Sequence, residues 1–177
     1  MRVLGIDPGT VNTGWGVVDG DGSHLVHKSS GVILCRGPLS QRLLRIFEEL
    51  KHIFDDHAPQ CISLEKTFVG DNVQSAFRLG EARGAILVAA AQAGVTVCEY
   101  APAEIKVAVA GSGRAAKEQM QIMVARLLGI PDTLAPDQAD ALGAAICHLH
   151  TSRFAARVGD AVALEALSRR RRRSLRR

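Results

Sequence analysis

The sequence predicts an α/β fold: one five-stranded mixed sheet, strands 1–3 antiparallel and strands 4 and 5 parallel to the first, flanked by helices. Three observations predict it. The N-terminal part carries apolar runs of strand length joined by short turn signals. From residue 38 onward, helical and strand patterns alternate. The runs beginning at Val3 and Cys61 both end on a carboxylate, Asp7 and Glu65.

Val3-Leu4-Gly5-Ile6 is the first strand. Pro8 holds Asp7 in extended geometry, and Gly9 allows the chain to turn away sharply. Gly14 to Asp19 reads as the second strand, and Asp19-Gly20-Asp21-Gly22 is a hairpin signal leading into the third, Leu25 to Leu34. Pro38 and Ser40 open a helix with Leu39, Leu43, Leu44, Phe47, Leu50 and Phe54 on one face, closed by Asp55, Asp56 and Pro59. Cys61 to Glu65 is then a short buried strand. A right-handed crossover makes it parallel to the first, so Asp7 and Glu65 emerge at the same edge of the sheet. Adjacent strands lie ~5 Å apart. Two carboxylates that close repel, and hard divalent cations are the usual way to keep both ionised. For either acid alone, a capped or exposed strand end is the plainer alternative.

The pattern over 72–93 gives a long helix with Val73, Phe77, Gly80, Gly84, Leu87, Val88 and Ala91 along one side. Glycine inside a helix costs roughly 0.5–1 kcal/mol relative to alanine, so Gly80 and Gly84 point to close approach of another backbone. Two neighbours fit: the same helix of a second subunit, or the chain's own sheet. Val95 to Tyr100 supplies the fifth strand, and Glu104 to Ala110 a short helix. Gly111-Ser112-Gly113-Arg114 then leads into a helix over 115–128 with Lys117 in its first turn. Amides of that turn, with Lys106, Arg114 and Lys117 nearby, suit a phosphate, or else form an ordinary solvated loop. The last helix opens at 134–140, with Pro136 suited to its first position. Asp137 and Asp140, three apart, share a helical face. The helix dipole accounts readily for one acid there, and less well for two like charges side by side. His148 and His150 read as partly exposed residues near the helix end.

At 177 residues and 47% hydrophobic content, the chain suits a single substantial core. The net charge of +4 is dominated by seven arginines in the last nine residues; without them 15 basic residues face 18 acidic ones, a net −3. That division predicts a body over 1–152 and a basic tail over 153–177, the tail being either a solvated end or a phosphate contact. Cys35, Cys61, Cys98 and Cys147 are far apart in apolar contexts, which predicts buried reduced thiols. No apolar run approaches a bilayer span, so the expectation is a soluble cytoplasmic protein with no membrane partner.

Taken together, the chain resembles the ribonuclease H-like nucleases, and within them the RuvC family of bacterial Holliday-junction resolvases. The likeness runs from Met1 to about His150. It rests on GIDPGT with TGWG, SLEKTF, the ARG at 82–84, EYAPAEIK with GSGRAAK, and DQADALGAAICH. It implies a crossover junction endodeoxyribonuclease that nicks four-way DNA by two-metal hydrolysis, leaving 5′-phosphate and 3′-hydroxyl ends, in recombination and DNA repair. Asp7, Glu65, Asp137 and Asp140 would be the catalytic, metal-binding acids, holding two Mg²⁺ ions per site, or Mn²⁺. Lys106 and Lys117 would serve the phosphate, Lys117 as a catalytic group, and Phe68 would touch bases near the crossover; Arg114 joins them as a DNA-binding candidate. Some relatives carry histidine where Asp137 stands, which sets it apart from the other three acids. A homodimer and cooperation with the RuvA and RuvB branch-migration proteins are also implied. Gly5 to Thr10 resembles, too, the first phosphate-binding turn of sugar kinases and actin-like ATPases, although those proteins need a second such domain. A junction-binding scaffold with structural acids is the non-catalytic alternative.

Overall fold

Strands β1 (Arg2–Asp7), β2 (Asn12–Gly20) and β3 (Leu25–Leu34) form an antiparallel meander. Helix α1 (Leu39–His57) then leads to β4 (Cys61–Glu65), parallel to β1, and α2 (Val73–Ala93) to β5 (Thr96–Tyr100), parallel to β4. The sheet order is β3-β2-β1-β4-β5. Helices α3 (Pro102–Ala110), α4 (Lys117–Leu128) and α5 (Pro136–Ser174) follow. This computed structural model describes residues 1–21, 23–66, 73–131 and 133–174, and of these all side chains except those of 73, 156–158 and 160–174. Gly22, expected in the β2–β3 hairpin, lies outside the described residues.

Strand alternation divides the sheet between two cores. Leu4, Ile6, Ile62 and Leu64 pack with Ile46, Leu50 and Ile86 of α1 and α2. Val3, Val18 and Cys61 face the other way, into Val124, Leu142 and Ile146 of α4 and α5. Full burial of each large aliphatic side chain contributes about 1.5–3 kcal/mol, which makes these layers the main source of stability. By the same alternation, Gly5, Asp7, Ser63 and Glu65 all belong to the α5 face.

Helix α5 lies directly on that face because glycine leaves room for it. A Cβ at Gly5 would run into the carbonyl oxygen of Ala141, and one at Gly14 into that of Asp137. Ser63 adds a fixed point, its hydroxyl donating to the Ala144 carbonyl at 2.6 Å.

Of the two neighbours offered for the α2 stripe, the chain's own sheet is not the one it meets: Phe77 is 70% and Val88 61% exposed, and nothing would touch a Cβ at Gly80 or Gly84. Ala82, Ile86, Ala89 and Ala90 seat the helix instead, small residues that bring it close to the layer beneath. Packing on the chain's own sheet therefore does not explain the two glycines. His148 is buried rather than partly exposed, because it faces Tyr100 of β5 from a helix that continues without a break to Ser174. The Tyr100 hydroxyl lies 2.8 Å from its Nδ1 and the Ser152 hydroxyl 3.1 Å from its Nε2. His150 is half-buried, with Nδ1 3.0 Å from the Ala108 carbonyl oxygen.

All four cysteines are free; Cys35, Cys61 and Cys147 are buried as expected and Cys98 is half-buried. Burial pushes the Cys61 and Cys147 thiols up to about 11, which keeps them protonated and unreactive. Among the described residues no helix is long and apolar enough to cross a membrane.

The contact between α5 and β1 yields a direct prediction. Gly5→Ala forces the helix off the sheet and should cost about 3 kcal/mol of unfolding free energy, read by urea denaturation. A loss below about 1 kcal/mol would mean that the helix can lift without disturbing the core.

Candidate active site

Asp7 is the last residue of β1, opposite Gly14 of β2, and Glu65 is the last residue of β4. Ile6 pairs with Leu64, so the two acids occupy successive positions at the same end of neighbouring parallel strands. The turn after Asp7 is held by the Thr13 hydroxyl, which donates to the Gly9 carbonyl at 2.7 Å, and by the Cys35 amide, which donates to the Val11 carbonyl at 2.8 Å. Thr13 is wholly buried, so this bond is shielded from water.

Asp137 and Asp140 come from the opening of α5, where the helix dipole favours negative charge. Buried Ala139 turns inward between them. Lys117 is the first residue of α4, a position where the dipole disfavours a cation. Asp140 compensates: Lys117 Nζ lies 3.0 Å from Asp140 Oδ2. A cleft of about 260 Å³ is lined by Glu65, Pro102, Ile105, Lys106, Lys117, Met120 and Asp140.

The charges here are out of balance. Burial, then the charges of Asp140, Glu65 and Asp137, push the Asp7 carboxyl up to about 7, with Lys117 opposing. Glu65 is also raised, by burial and then by Asp140, against Lys106 and Lys117. Lys117 is raised in turn, chiefly by its hydrogen bond to Asp140. Four acids therefore share one field, with two lysines to offset them. Among the described residues no three or more His, Cys, Asp or Glu side chains close to metal-ligand spacing in this conformation. The donors are nonetheless hard carboxylate oxygens in a field short of positive charge, the chemistry that suits Mg²⁺ or Mn²⁺. The chemistry of Asp7, Glu65, Asp137 and Asp140 thus suits a divalent cation, with the Lys117 ammonium facing Asp140 beside them.

Of the candidates read from sequence, Glu65, Asp140, Lys106 and Lys117 line one cleft, and Asp7 and Asp137 share its electrostatic field without lining it. Arg114 does not: it is exposed on the turn before α4 and outside the lining of the cleft. Phe68 lies outside the described residues. Sequence reasoning missed Ser63, whose hydroxyl in an otherwise apolar strand was a readable signal. It also missed Ser30 and Gln138, which hydrogen bond at 2.6 Å across 108 residues of sequence with no local pattern to link them.

A mixed sheet of this order, with acids ending its first and fourth strands and on the helix laid across them, defines a ribonuclease H-like nuclease fold. The family model for crossover junction endodeoxyribonuclease RuvC matches residues 3–148. Proteins of that name from Trichlorobacter lovleyi and Bordetella petrii are 44% and 47% identical to it, covering 92% and 94% of this chain and 93% of each relative. Among solved structures, T. thermophilus RuvC in complex with a Holliday junction substrate superposes with a TM-score of 0.83 at 34% identity, over 88% of this chain and 96% of that one. The yeast mitochondrial Holliday junction resolvase Ydc2, at 13% identity and a TM-score of 0.57 over 84% and 78%, shares the fold. The chain belongs to the RuvC crossover junction endodeoxyribonuclease family, a family of divalent-metal-dependent nucleases.

The raised carboxyl of Asp7 has a measurable effect on stability. An acid whose folded-state pKa lies above its unfolded value destabilises the fold once ionised. The penalty is absent below about pH 4, grows towards about pH 7 and is complete above it. In chelator, Asp7→Asn should therefore raise the unfolding free energy at pH 8, by up to about 4 kcal/mol for a shift of about three pH units, and hardly change it at pH 4. Urea denaturation at the two pH values checks this, and equal effects at both would contradict it.

Proposed function

We propose that this chain is a structure-selective endonuclease that resolves four-way (Holliday) DNA junctions by paired symmetric nicks, in recombination and DNA repair. The observation that carries the reading is the convergence of Asp7, Glu65, Asp137 and Asp140 beside Lys106 and Lys117, in a family whose T. thermophilus member is described in complex with a Holliday junction substrate. The four acids would hold two Mg²⁺ ions, with Mn²⁺ able to replace them. Held by these acids, the ions would supply the Lewis acidity for hydrolysis of the phosphodiester, in which a P–O bond to water forms as the P–O3′ bond breaks, leaving 5′-phosphate and 3′-hydroxyl ends.

The chain's own residues do the rest. Lys117, held at the cleft by Asp140, opposes the negative charge that builds on the phosphate oxygens in the transition state. Lys106, on the cleft wall, takes the same phosphate, and Arg114 an adjacent one on the exposed turn. Phe68 stacks on an unpaired base, worth ~1–3 kcal/mol in favour of opened DNA over intact duplex; this role rests on its place in the SLEKTF motif. The nuclease body is assigned to 1–152 and the basic segment to 153–177.

Symmetric nicks need two active sites, and a homodimer provides them. The outward stripe of α2 supports one: exposed Phe77 and Val88 flank Gly80 and Gly84, which leave room for a second backbone. RuvA and RuvB are the proposed branch-migration partners, and the cytoplasm the proposed location.

Asp7→Asn and Glu65→Gln should each lower Mg²⁺-dependent nicking of a four-way junction by about a hundredfold or more while junction binding in Ca²⁺ persists. Linear duplex should be cut poorly beside the junction; cleavage of an RNA/DNA hybrid with the junction spared would make the enzyme a ribonuclease H instead. For the dimer, Phe77→Asp combined with Val88→Asp should halve the mass found by light scattering and leave unpaired nicks. An unchanged mass would rule out pairing through α2.

A further inference from the structure

We infer that Gln138, Ser30 and His27 form a hydrogen-bonded strut that holds the acid-bearing first turn of α5 in register for cation binding, with Gln138 and Ser30 as positioning residues. The inference rests on the reading of the four acids as a divalent-cation site and deepens it.

Gln138 stands between Asp137 and Asp140. Its Nε2 donates to the Ser30 hydroxyl oxygen at 2.6 Å, and His27 Nε2 lies 2.7 Å from that same oxygen. The hydroxyl can accept from Gln138 while it either donates to His27 or accepts from it, so the chain is satisfied with either imidazole tautomer.

Geometry on β3 shows why the strut can exist. In a regular strand, residues 27 and 30 point to opposite faces. Here Val17 pairs with Ser29 and Val18 with His27, so Lys28 is an extra, unpaired residue and the register shifts at this point. The bulge reverses the alternation. Ser30, opposite Gly16, and His27, opposite Val18, now both face α5, since a Cβ at Gly16 would meet Leu142 and Val18 packs in the α5 core. Bulges commonly re-aim side chains in this way beside functional sites.

The first turn of α5 needs such an anchor. Downstream, the helix is pinned by Ala141, Leu142, Ala145 and Ile146, all fully buried, and by the Ser63 bond to Ala144. At its start the Asp137 carbonyl rests on Gly14 and Lys117 reaches Asp140, but among side chains only Ala139 is buried, while Pro136 is exposed and Asp137 and Asp140 half-exposed. Repulsion among Asp7, Glu65, Asp137 and Asp140 pushes this turn away from the strand ends. A side-chain bond to β3, from a residue between the two acids, opposes that rotation directly.

The test uses the full chain with Gln138→Leu, Ser30→Ala, the double variant, and Ser30→Thr, which keeps the hydroxyl. Mn²⁺ affinity is measured without DNA by calorimetry, beside the Mg²⁺ concentration for half-maximal junction nicking, junction affinity in chelator and thermal unfolding. Loss of an outer contact to a ligand-bearing turn should weaken Mn²⁺ binding about tenfold in Gln138→Leu and Ser30→Ala and raise the Mg²⁺ requirement in step. Junction affinity should hold within about twofold, Ser30→Thr should stay near wild type, and the double variant should be no worse than either single one. Unchanged Mn²⁺ affinity in both folded single variants overturns the strut whether or not junctions are cut, as do fully additive losses in the double variant. Should one variant not fold, the other decides. Wild-type protein that binds Mn²⁺ but leaves junctions intact would overturn the nuclease reading and not the strut; protein that binds no Mn²⁺ would overturn both.

Discussion

The fold depends on backbone-to-backbone contact between α5 and the first two strands. Gly5 and Gly14 present no side chain to the carbonyls of Ala141 and Asp137, so the helix sits where a Cβ would otherwise be. A larger residue at either place moves the helix outward, and Asp137 and Asp140 with it. That movement costs about 1–3 kcal/mol in the core. It would also displace the two acids, and positioning errors near 1 Å can cost a hundredfold in rate. The glycines thus bear on stability and on the placement of the acids together.

Stability and charge are kept apart within the molecule. The two apolar layers lie on either side of the sheet, whereas all four acids gather at one end of the strands. There the native state retains an electrostatic conflict that the layers offset: Asp7 is pushed up towards neutrality while Lys117 supplies one counter-charge from a helix start that disfavours it.

Much of this was legible in sequence because the signals were local. Apolar runs ending on Asp7 and Glu65, joined through a helical crossover, set the fourth strand parallel to the first, and the limits of β3 and β4 coincide with the expected ones. Asp137 and Asp140 were recognisable as a same-face pair. What escaped were relations between distant segments. Which neighbour the glycine-bearing face of α2 meets stayed open in the sequence, because alanines rather than large apolar residues seat this helix while Phe77 and Val88 point outward. The ending expected for α5 near His150 failed because no proline or glycine stops the helix there, and His148 is buried by its contact with distant Tyr100. The Lys28 bulge and the Ser30–Gln138 bond depend on register, which no short window of sequence encodes.

The division of the sheet into two faces also bears on how the molecule can meet DNA. The outward stripe of α2 belongs to the layer formed with α1, whereas the acid cleft is walled by α3, α4 and α5 on the opposite face. A dimer formed through that stripe therefore leaves the cleft uncovered on both copies. It also leaves Lys106 and Lys117 facing outward beside the acids. This matters because the body without its terminal arginines carries a net charge of −3. Attraction to a polyanion has to come from local positive charge, and at the cleft Lys106 and Lys117 supply it beside Glu65 and Asp140. Interface and active site can then respond to different pressures, apolar complementarity on one face and charge balance on the other.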